Sequence, residues 1–249
     1  MGPETLAAVA AATALGALLQ SAGGFGFALV AGPALFAALS PHEAVGTLLV
    51  LGAGLNLLVL LGERRPTDVR RSDVGPMIAC AVPGVAAGVA ILDALPKPTL
   101  QVLVGAGVLS AAGAQAVLRA EPAPHHPAGR ASSYPVGLLA GTLTTATSVN
   151  GPPLVLWLRA RGARPGELRD SLAASFLALN ALGAVALALL GGAGRAFDPA
   201  VIALLAPVTV VGHAAGRRVF TRLPARRFHA LGLALVVAAG TASVAAGMA

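Results

Sequence analysis

The chain has 249 residues, of which 56% are hydrophobic and only 11% charged, and its mean hydropathy is +0.81. Soluble globular domains carry about 25% charged residues, so this composition excludes an ordinary soluble domain and indicates an integral membrane protein. The net charge of +7 comes from basic residues in short loops between apolar segments, which excludes a nucleic-acid-binding surface. The single cysteine, Cys80, lies in an apolar segment and excludes disulfides and cysteine-based zinc sites.

Apolar segments follow one another along the whole chain and predict helices within a membrane, since about 20 apolar residues cross the hydrocarbon. They lie at 5–22, 24–39, 44–62, 74–92, 99–118, 134–158, 168–190, 199–216 and 228–247. A Pro/His-rich segment near the middle separates two halves. We therefore predict one integral membrane domain with an N-terminal repeat (1–120), a linker (121–133) and a C-terminal repeat (134–249).

The two halves contain the same features in the same order. The corresponding pairs are Gly16–Gly26 with Gly141–Gly151, Glu43 with Glu167, and Asn56 with Asn180. In each half a glycine-rich polar interruption is followed by a Pro-Glu turn and an apolar segment that carries the asparagine. Paired interruptions of apolar segments predict broken helices around a central binding site, as in carriers built from repeats.

The basic residues predict which loops share a side of the membrane. Three loops, 63–73, 159–169 and 217–227, contain four, four and five arginines, and fifteen of the seventeen Lys/Arg residues fall in these loops and the linker region. The positive-inside rule places them in the cytoplasm, which requires segment 134–158 to enter the membrane and return to the same side. Its 25 residues are too few for two full crossings, so we predict two half-length helices meeting at a bend over 146–153.

The same reasoning predicts a bent hairpin over 5–39, with its bend at 21–26, that enters from the opposite side. The two halves would then be inverted copies. The predicted fold is an all-α polytopic membrane protein with two inverted-topology repeats, each a broken, re-entrant helical hairpin plus three transmembrane helices. Both termini are expected outside.

The two bends form the predicted substrate site, because non-helical backbone inside a membrane must be buried in protein or line a wet cavity. Free N–H groups at half-helix N-termini carry partial positive charge and suit an anion. The predicted binding residues are the glycines and polar residues of both bends and the two equivalent asparagines: Gln20, Ser21, Gly23, Gly24, Gly26, Thr145, Thr147, Ser148, Asn150, Gly151, Asn56 and Asn180.

Other interpretations of these residues remain open at this point. The bend residues could instead cap broken helices, and the two asparagines could join neighbouring helices. His213 is either a residue of the membrane interface or a proton carrier. The sequence lacks zinc-hydrolase, serine-hydrolase and phosphate-loop motifs, so we predict no enzyme, no cofactor and no metal site.

The chain resembles the sulfite exporter TauE/SafE family of membrane permeases. The matching features of the first half are Gly16–Gly26, Pro33–Leu35, Pro41–Thr47, the arginine-rich loop, Asp73, Gly84, Gly88 and Leu95-Pro96. Those of the second half are Gly137–Pro153 and Pro165–Ser171. The resemblance covers nearly the whole chain and implies a permease that exports small sulfur-containing anions, such as sulfite or organosulfonates, by a secondary mechanism.

The predicted function is therefore a secondary transporter, an exporter of such anions that works by alternating access in a cell inner membrane. The alternatives are an anion channel and a non-transporting membrane anchor or accessory subunit. The expected partners are the small anionic substrate and membrane lipid, with no nucleic acid; a homo-oligomer is an open alternative.

Overall fold

The computed structural model describes residues 2–62, 67–120, 132–220 and 225–248, and the secondary structure within them is helical. The helices are α1 (Pro3–Gly23), α2 (Phe27–Ala38), α3 (Pro41–Leu61), α4 (Arg71–Ala94), α5 (Lys97–Ala120), α6 (Ser133–Ala146), α7 (Gly151–Ala160), α8 (Pro165–Leu190), α9 (Ala193–Ala196), α10 (Pro199–Phe220) and α11 (Ala225–Met248). Within these residues, α1, α3, α4, α8, α10 and α11 contain stretches long and apolar enough to cross a membrane. The predicted all-α polytopic membrane protein is confirmed.

Contacts between helix ends define two faces of the molecule. On the arginine-rich face, which comprises the ends of α3, α7 and α10 and the starts of α4 and α8, Arg161 pairs with Asp73 and the Arg217 guanidinium lies against Gly62. On the opposite face, Lys97 Nζ donates to the Leu39 carbonyl at 2.9 Å, and His42 pairs with Asp93 at 2.6 Å. The arginine-rich connections 67–70 and 161–164 therefore lie on one side.

The first hairpin, α1 and α2, enters from the opposite face. Helix α1 runs parallel to α10, since Gly212 lies against the Ala14 carbonyl and Gly216 against the Leu18 carbonyl. Helix α2 returns alongside α1. The two helices are so close that a Cβ atom added to Gly16 would lie 2.7 Å from the Phe27 carbonyl oxygen. Because α2 ends beside Lys97, both ends of this hairpin lie on the same face.

The second hairpin, α6 and α7, enters from the arginine-rich face and returns to it. Helix α6 runs parallel to α4, with Gly84 against the Leu138 carbonyl and Gly88 against that of Thr142. The Trp157 Nε1 near the end of α7 donates to Ser132 Oγ at the start of α6, at 2.9 Å. Segment 134–158 therefore enters and returns, as the loop charges predict.

Two pairs of long helices that connect the two halves of the chain pack antiparallel. Helices α3 and α8 pack antiparallel, with Gly52 against Asn180 and Leu49 against Gly183. Helices α5 and α11 also pack antiparallel. The end of α11 lies so close to the start of α5 that a Cβ atom added to Gly247 would come 2.5 Å from the Pro98 carbonyl oxygen. Small residues at these crossings let the backbones approach closely. The arrangement is consistent with two inverted repeats.

The structure refines both predicted bends. The first break covers 24–26, with Gly24 at φ +85° and Gly26 at φ +131°, while Ser21 and Gly23 remain in α1. The second covers 147–150, because α7 already begins at Gly151 and its two following prolines suit the first helical turn. Helix α1 has 21 residues, so the first hairpin is uneven in length. All but the last two residues of the predicted linker 121–133 lie outside the described residues.

The outer surface of the helices is apolar, as contact with lipid requires. Large aliphatic side chains are exposed along several helices, among them Leu61, Val185, Leu189, Val211 and Leu231. Such exposure is costly in water but not in hydrocarbon, because lipid tails are as apolar as leucine. The interior combines a cluster of buried apolar residues with a set of buried amides and hydroxyls near the two breaks.

Candidate functional site

A cavity of about 40 Å³ lies between the two helix breaks. Its walls come from the break of the first hairpin, the break of the second, and the middle of α3 and α8. A single buried water needs about 10–15 Å³ of such space, so the cavity holds about three waters or one small ion. Since α3 and α8 cross antiparallel at this level, the cavity lies near the middle of both helices.

Seven of the twelve predicted binding residues line this cavity. They come from both breaks and from the two equivalent positions in α3 and α8: Gln20, Gly26, Asn56, Ser148, Asn150, Gly151 and Asn180. Residues from all four walls therefore meet at one place, although up to 160 positions separate them along the chain.

The other five predicted residues lie outside the cavity lining. Thr145 Oγ1 donates to the Val85 carbonyl of α4 at 2.7 Å, and Thr147 Oγ1 donates to the Leu143 carbonyl one turn earlier at 3.1 Å. Gly23 is in the last turn of α1, and Gly24 packs against the side chain of Arg169. Ser21 faces His213.

The Gln20 side chain stabilises the break between α1 and α2 through hydrogen bonds. Its Oε1 accepts a hydrogen bond from the Phe27 N–H at 3.0 Å, across the non-helical residues. Its Nε2 donates to Asn56 Oδ1 at 2.8 Å, while Asn56 Nδ2 donates to the Gly52 carbonyl at 2.7 Å. All of these groups are buried. Gln20 and Asn56 therefore join α1, α2 and α3 into one unit.

The Thr144 side chain stabilises the break between α6 and α7 through hydrogen bonds. Its hydroxyl donates to the Ala140 carbonyl at 2.6 Å and accepts from Asn150 Nδ2 at 2.7 Å. Ser148, at φ +59°, is a non-glycine residue in the left-handed region, a conformation uncommon outside turns and functional sites. Its hydroxyl lies 3.3 Å from the Thr144 carbonyl.

Asn180 differs from its counterpart Asn56. Each lies fifteen residues into its helix, and the Asn180 amide packs on Gly52, where a Cβ would come within 2.6 Å of Nδ2. Asn56 is 1% exposed and hydrogen-bonded, whereas Asn180 is only partly buried and makes no hydrogen bond within the described part of the chain. The Asn180 amide is therefore available to a ligand.

The electrostatic character of the cavity comes from neutral groups. Among its described lining residues none is Asp, Glu, Lys, Arg or His. Helices α2 and α7 both begin at the cavity, so the positive ends of two helix dipoles face it. The N–H groups of Ala28 and Gly151 have no backbone acceptor among the described residues. These donors and dipoles suit a small anion.

Sequence reasoning missed an apolar part of the wall. The cavity is also lined by Phe25, Phe27, Ala28, Leu29, Leu48, Gly52, Val149 and Phe176. Gly52 and Phe176 each lie four residues before an asparagine that lines the cavity, and residues four apart share a helix face. Helical periodicity around Asn56 and Asn180 was the signal that could have identified them.

His213 and the repeated glutamates lie away from the cavity lining. His213 is 8% exposed, and its Nδ1 lies 2.8 Å from Ser21 Oγ. Glu43 and Glu167 accept hydrogen bonds from the N–H groups of Ser40 and Arg164, both at 3.0 Å, and so cap α3 and α8. Within the described residues there is no cluster of metal-ligating side chains.

A comparison with protein-family models matches residues 8–243 to the model described as Sulfite exporter TauE/SafE. The match spans both hairpins and nearly all of the helices described above. Searches of curated proteins and of solved structures gave no match.

Proposed function

Because this chain belongs to the sulfite exporter TauE/SafE family of membrane transporters, we propose that it exports small sulfur-containing anions, such as sulfite or organosulfonates, by alternating access. The observation that carries the proposal is the cavity between the two breaks, with its uncharged hydrogen-bond donors and two helix N-termini. Its size suits an anion with a few heavy atoms.

The proposed substrate site contains the seven predicted residues that line the cavity. Asn180, with the N–H groups of Ala28 and Gly151, would donate to the anion's oxygens. Gln20 and Asn56 would keep the first break in place, and Thr144 would orient Asn150 in the second. Phe25, Phe27 and Phe176 would exclude water around the bound ion.

The opposed entry of the two hairpins supports the mechanism. Each half supplies one broken helix and one long helix, α3 or α8, to the cavity, so the site lies between the halves. Rocking one half against the other would open it first to one face and then to the other, as in carriers with inverted repeats. Such motion needs no ATP.

We also propose that the arginine-rich face is cytoplasmic and that the membrane is the inner membrane. In a Cys80→Ala background, Arg164→Cys should react with an impermeant thiol reagent only from the cytoplasmic side, because this side chain is 83% exposed on that face. Ala193→Cys, on the opposite face, is the matched control and should react only from outside. The reverse labelling pattern would overturn the orientation.

Replacing Asn180 by alanine tests the binding role. The change removes donors to the anion and no hydrogen bond within the described structure, so we expect normal thermal unfolding but weaker binding. A hydrogen bond to a charged group contributes about 1.5–3 kcal/mol, so KM for sulfite uptake into proteoliposomes should rise about tenfold or more.

The uptake assay uses labelled sulfite, thiosulfate, a sulfonate and a carboxylate. Thr241→Ala is the control, since Thr241 is exposed and its hydroxyl donates only to carbonyls of its own helix. Unchanged KM in Asn180→Ala would remove Asn180 from the site. Absence of uptake for all four anions would favour the accessory-subunit alternative, and uptake without saturation or counterflow would favour a channel.

A further inference from the structure

We infer that the cavity selects monoanions and rejects dianions, so that sulfite crosses as its singly charged, protonated form. The inference rests on the proposed function and specifies the substrate of the same site. It follows from the charges around the cavity and from the Asn180 amide, which can both donate and accept hydrogen bonds.

The charge around the cavity depends on the helix ends and on the side chains that line it. The N-termini of α2 and α7 each act as roughly +0.5 of an elementary charge, whereas α1 and α6 end at the same breaks with roughly −0.5 each. The lining contains no basic side chain within the described residues. The second charge of a dianion would therefore meet no positive side chain, so burying a dianion costs more than burying a monoanion.

The ionisable groups near the first break lie outside the cavity lining. Arg169 of α8 donates through Nη2 to the Ser21 carbonyl at 3.0 Å and packs on Gly24, outside the cavity lining. His213 of α10 faces Ser21 Oγ. Asp73 of α4 is paired with Arg70 and Arg161 at the arginine-rich face. None of these neighbouring ionisable side chains therefore contacts the cavity directly.

Asn180 adds a feature that fits a protonated oxyanion. Its amide carries both donors and an acceptor, and none of them is hydrogen-bonded within the described structure. A protonated anion presents both acceptor oxygens and one O–H donor, and the same amide can satisfy the two kinds of group. A dianion offers no O–H donor to the amide oxygen.

The test compares two anions of fixed charge as competitors of labelled sulfite in proteoliposomes. Methanesulfonate is a monoanion and sulfate a dianion, and both are small tetrahedral sulfur oxyanions. We expect methanesulfonate to compete at least about 100-fold better, because burying an uncompensated charge is strongly unfavourable. Equal competition by sulfate would overturn the inference while leaving the transport function intact; absence of sulfite uptake would instead overturn the transport function.

A charge variant and a pH series make the test independent of competitor shape. Asn180→Lys adds a positive charge at the cavity and should improve the relative competition by sulfate about tenfold or more. An unchanged ratio in the folded variant would contradict the charge argument.

The pH series needs no variant and serves where Asn180→Lys does not fold. Sulfite exchanges its second proton near neutral pH, so its uptake should fall with rising pH in proportion to the monoanion. Methanesulfonate uptake, measured over the same range, controls for titration of the protein because its own charge is constant. Sulfite uptake that instead follows the dianion would overturn the inference.

Discussion

Replacing Asp73 by asparagine is expected to destabilise the folded protein by about 3–5 kcal/mol, the cost of removing one partner from a buried ion pair. The Asp73 side chain is 2% exposed and accepts from Arg70 Nε at 2.8 Å and from Arg161 Nη2. These contacts fasten the end of the second hairpin to the start of α4. Asparagine keeps the shape but removes the negative charge that faces both guanidinium groups, while Arg70 keeps its longer pair with Glu167 at 3.7 Å.

Neighbouring hydrogen bonds explain why the loss of the Asp73 charge would also destabilise residues 67–70 and the start of α8. The Asp68 N–H donates to Asp170 Oδ2 at 2.7 Å, and the Arg70 N–H donates to Ser171 Oγ at 3.1 Å. Residues 67–70 are thus docked onto the start of α8 by the same cluster that holds α7. We expect the variant to unfold at a clearly lower temperature in detergent.

Asp93→Asn is the matched control, at the other end of the same helix. Asp93 also contacts a histidine side chain, His42 Nε2, at 2.6 Å, but its own side chain is 43% exposed. Exposed pairs contribute about 0–1 kcal/mol, so this variant should unfold close to the wild-type temperature. Equal shifts in the two variants would show that burial of the Asp73 cluster does not determine the stability of this region.

The charge of the loops predicted the most unusual part of the fold. The arginines at 159–169 and 217–227 require segment 134–158 to return to the side from which it enters, and α6 and α7 do so. The signal is strong because the positive-inside rule acts on many charges together. Hydropathy alone would have assigned this segment one crossing.

The positions of the bends were less predictable, because a helix can continue or begin at residues that also occur in bends. Gly23 stays in α1, and Pro152 and Pro153 fall in the first turn of α7, where a missing N–H costs nothing. Helix boundaries depend on which carbonyl and N–H groups find hydrogen-bond partners. In the first break the Gln20 side chain accepts the hydrogen bond from the Phe27 N–H, where α2 begins.

The sequence predicted which residues line the cavity where two repeated positions coincide, and it failed where helix packing decides which way a side chain faces. Asn56 and Asn180 stand at equivalent places in equivalent helices, so an antiparallel crossing brings them to one cavity. The hydroxyls of Thr145 and Thr147 looked equally suitable as donors. In the structure they donate to carbonyls of α4 and α6. For Thr145 the packing of α6 against α4 decides, which one sequence does not reveal, whereas Thr147 bonds to the Leu143 carbonyl one turn earlier.

The difference between Asn56 and Asn180 could not be predicted for the same reason. The partner of Asn56 is Gln20, and the residue equivalent to Gln20 in the second half is Thr145, whose hydroxyl bonds to α4. Different side chains at this position leave one asparagine hydrogen-bonded and the other available, so the proposed binding site is asymmetric.

We propose that the substrate passes through the cavity between the two breaks, so filling that cavity should block transport. Ala28 lines the cavity at the start of α2, so Ala28→Phe would place a ring in a space of about 40 Å³. Ala37→Phe is the matched control, since Ala37 is exposed on the same helix and lines a lipid-facing groove. Both proteins are first checked for normal thermal unfolding.

The decisive measurement is saturable counterflow of labelled sulfite in proteoliposomes containing each variant. We expect counterflow to fall to background in Ala28→Phe, because the anion then has no space in which to bind, and to remain at the wild-type level in Ala37→Phe. Wild-type counterflow by a folded Ala28→Phe protein would show that the anion follows a route other than this cavity, contrary to the proposed site.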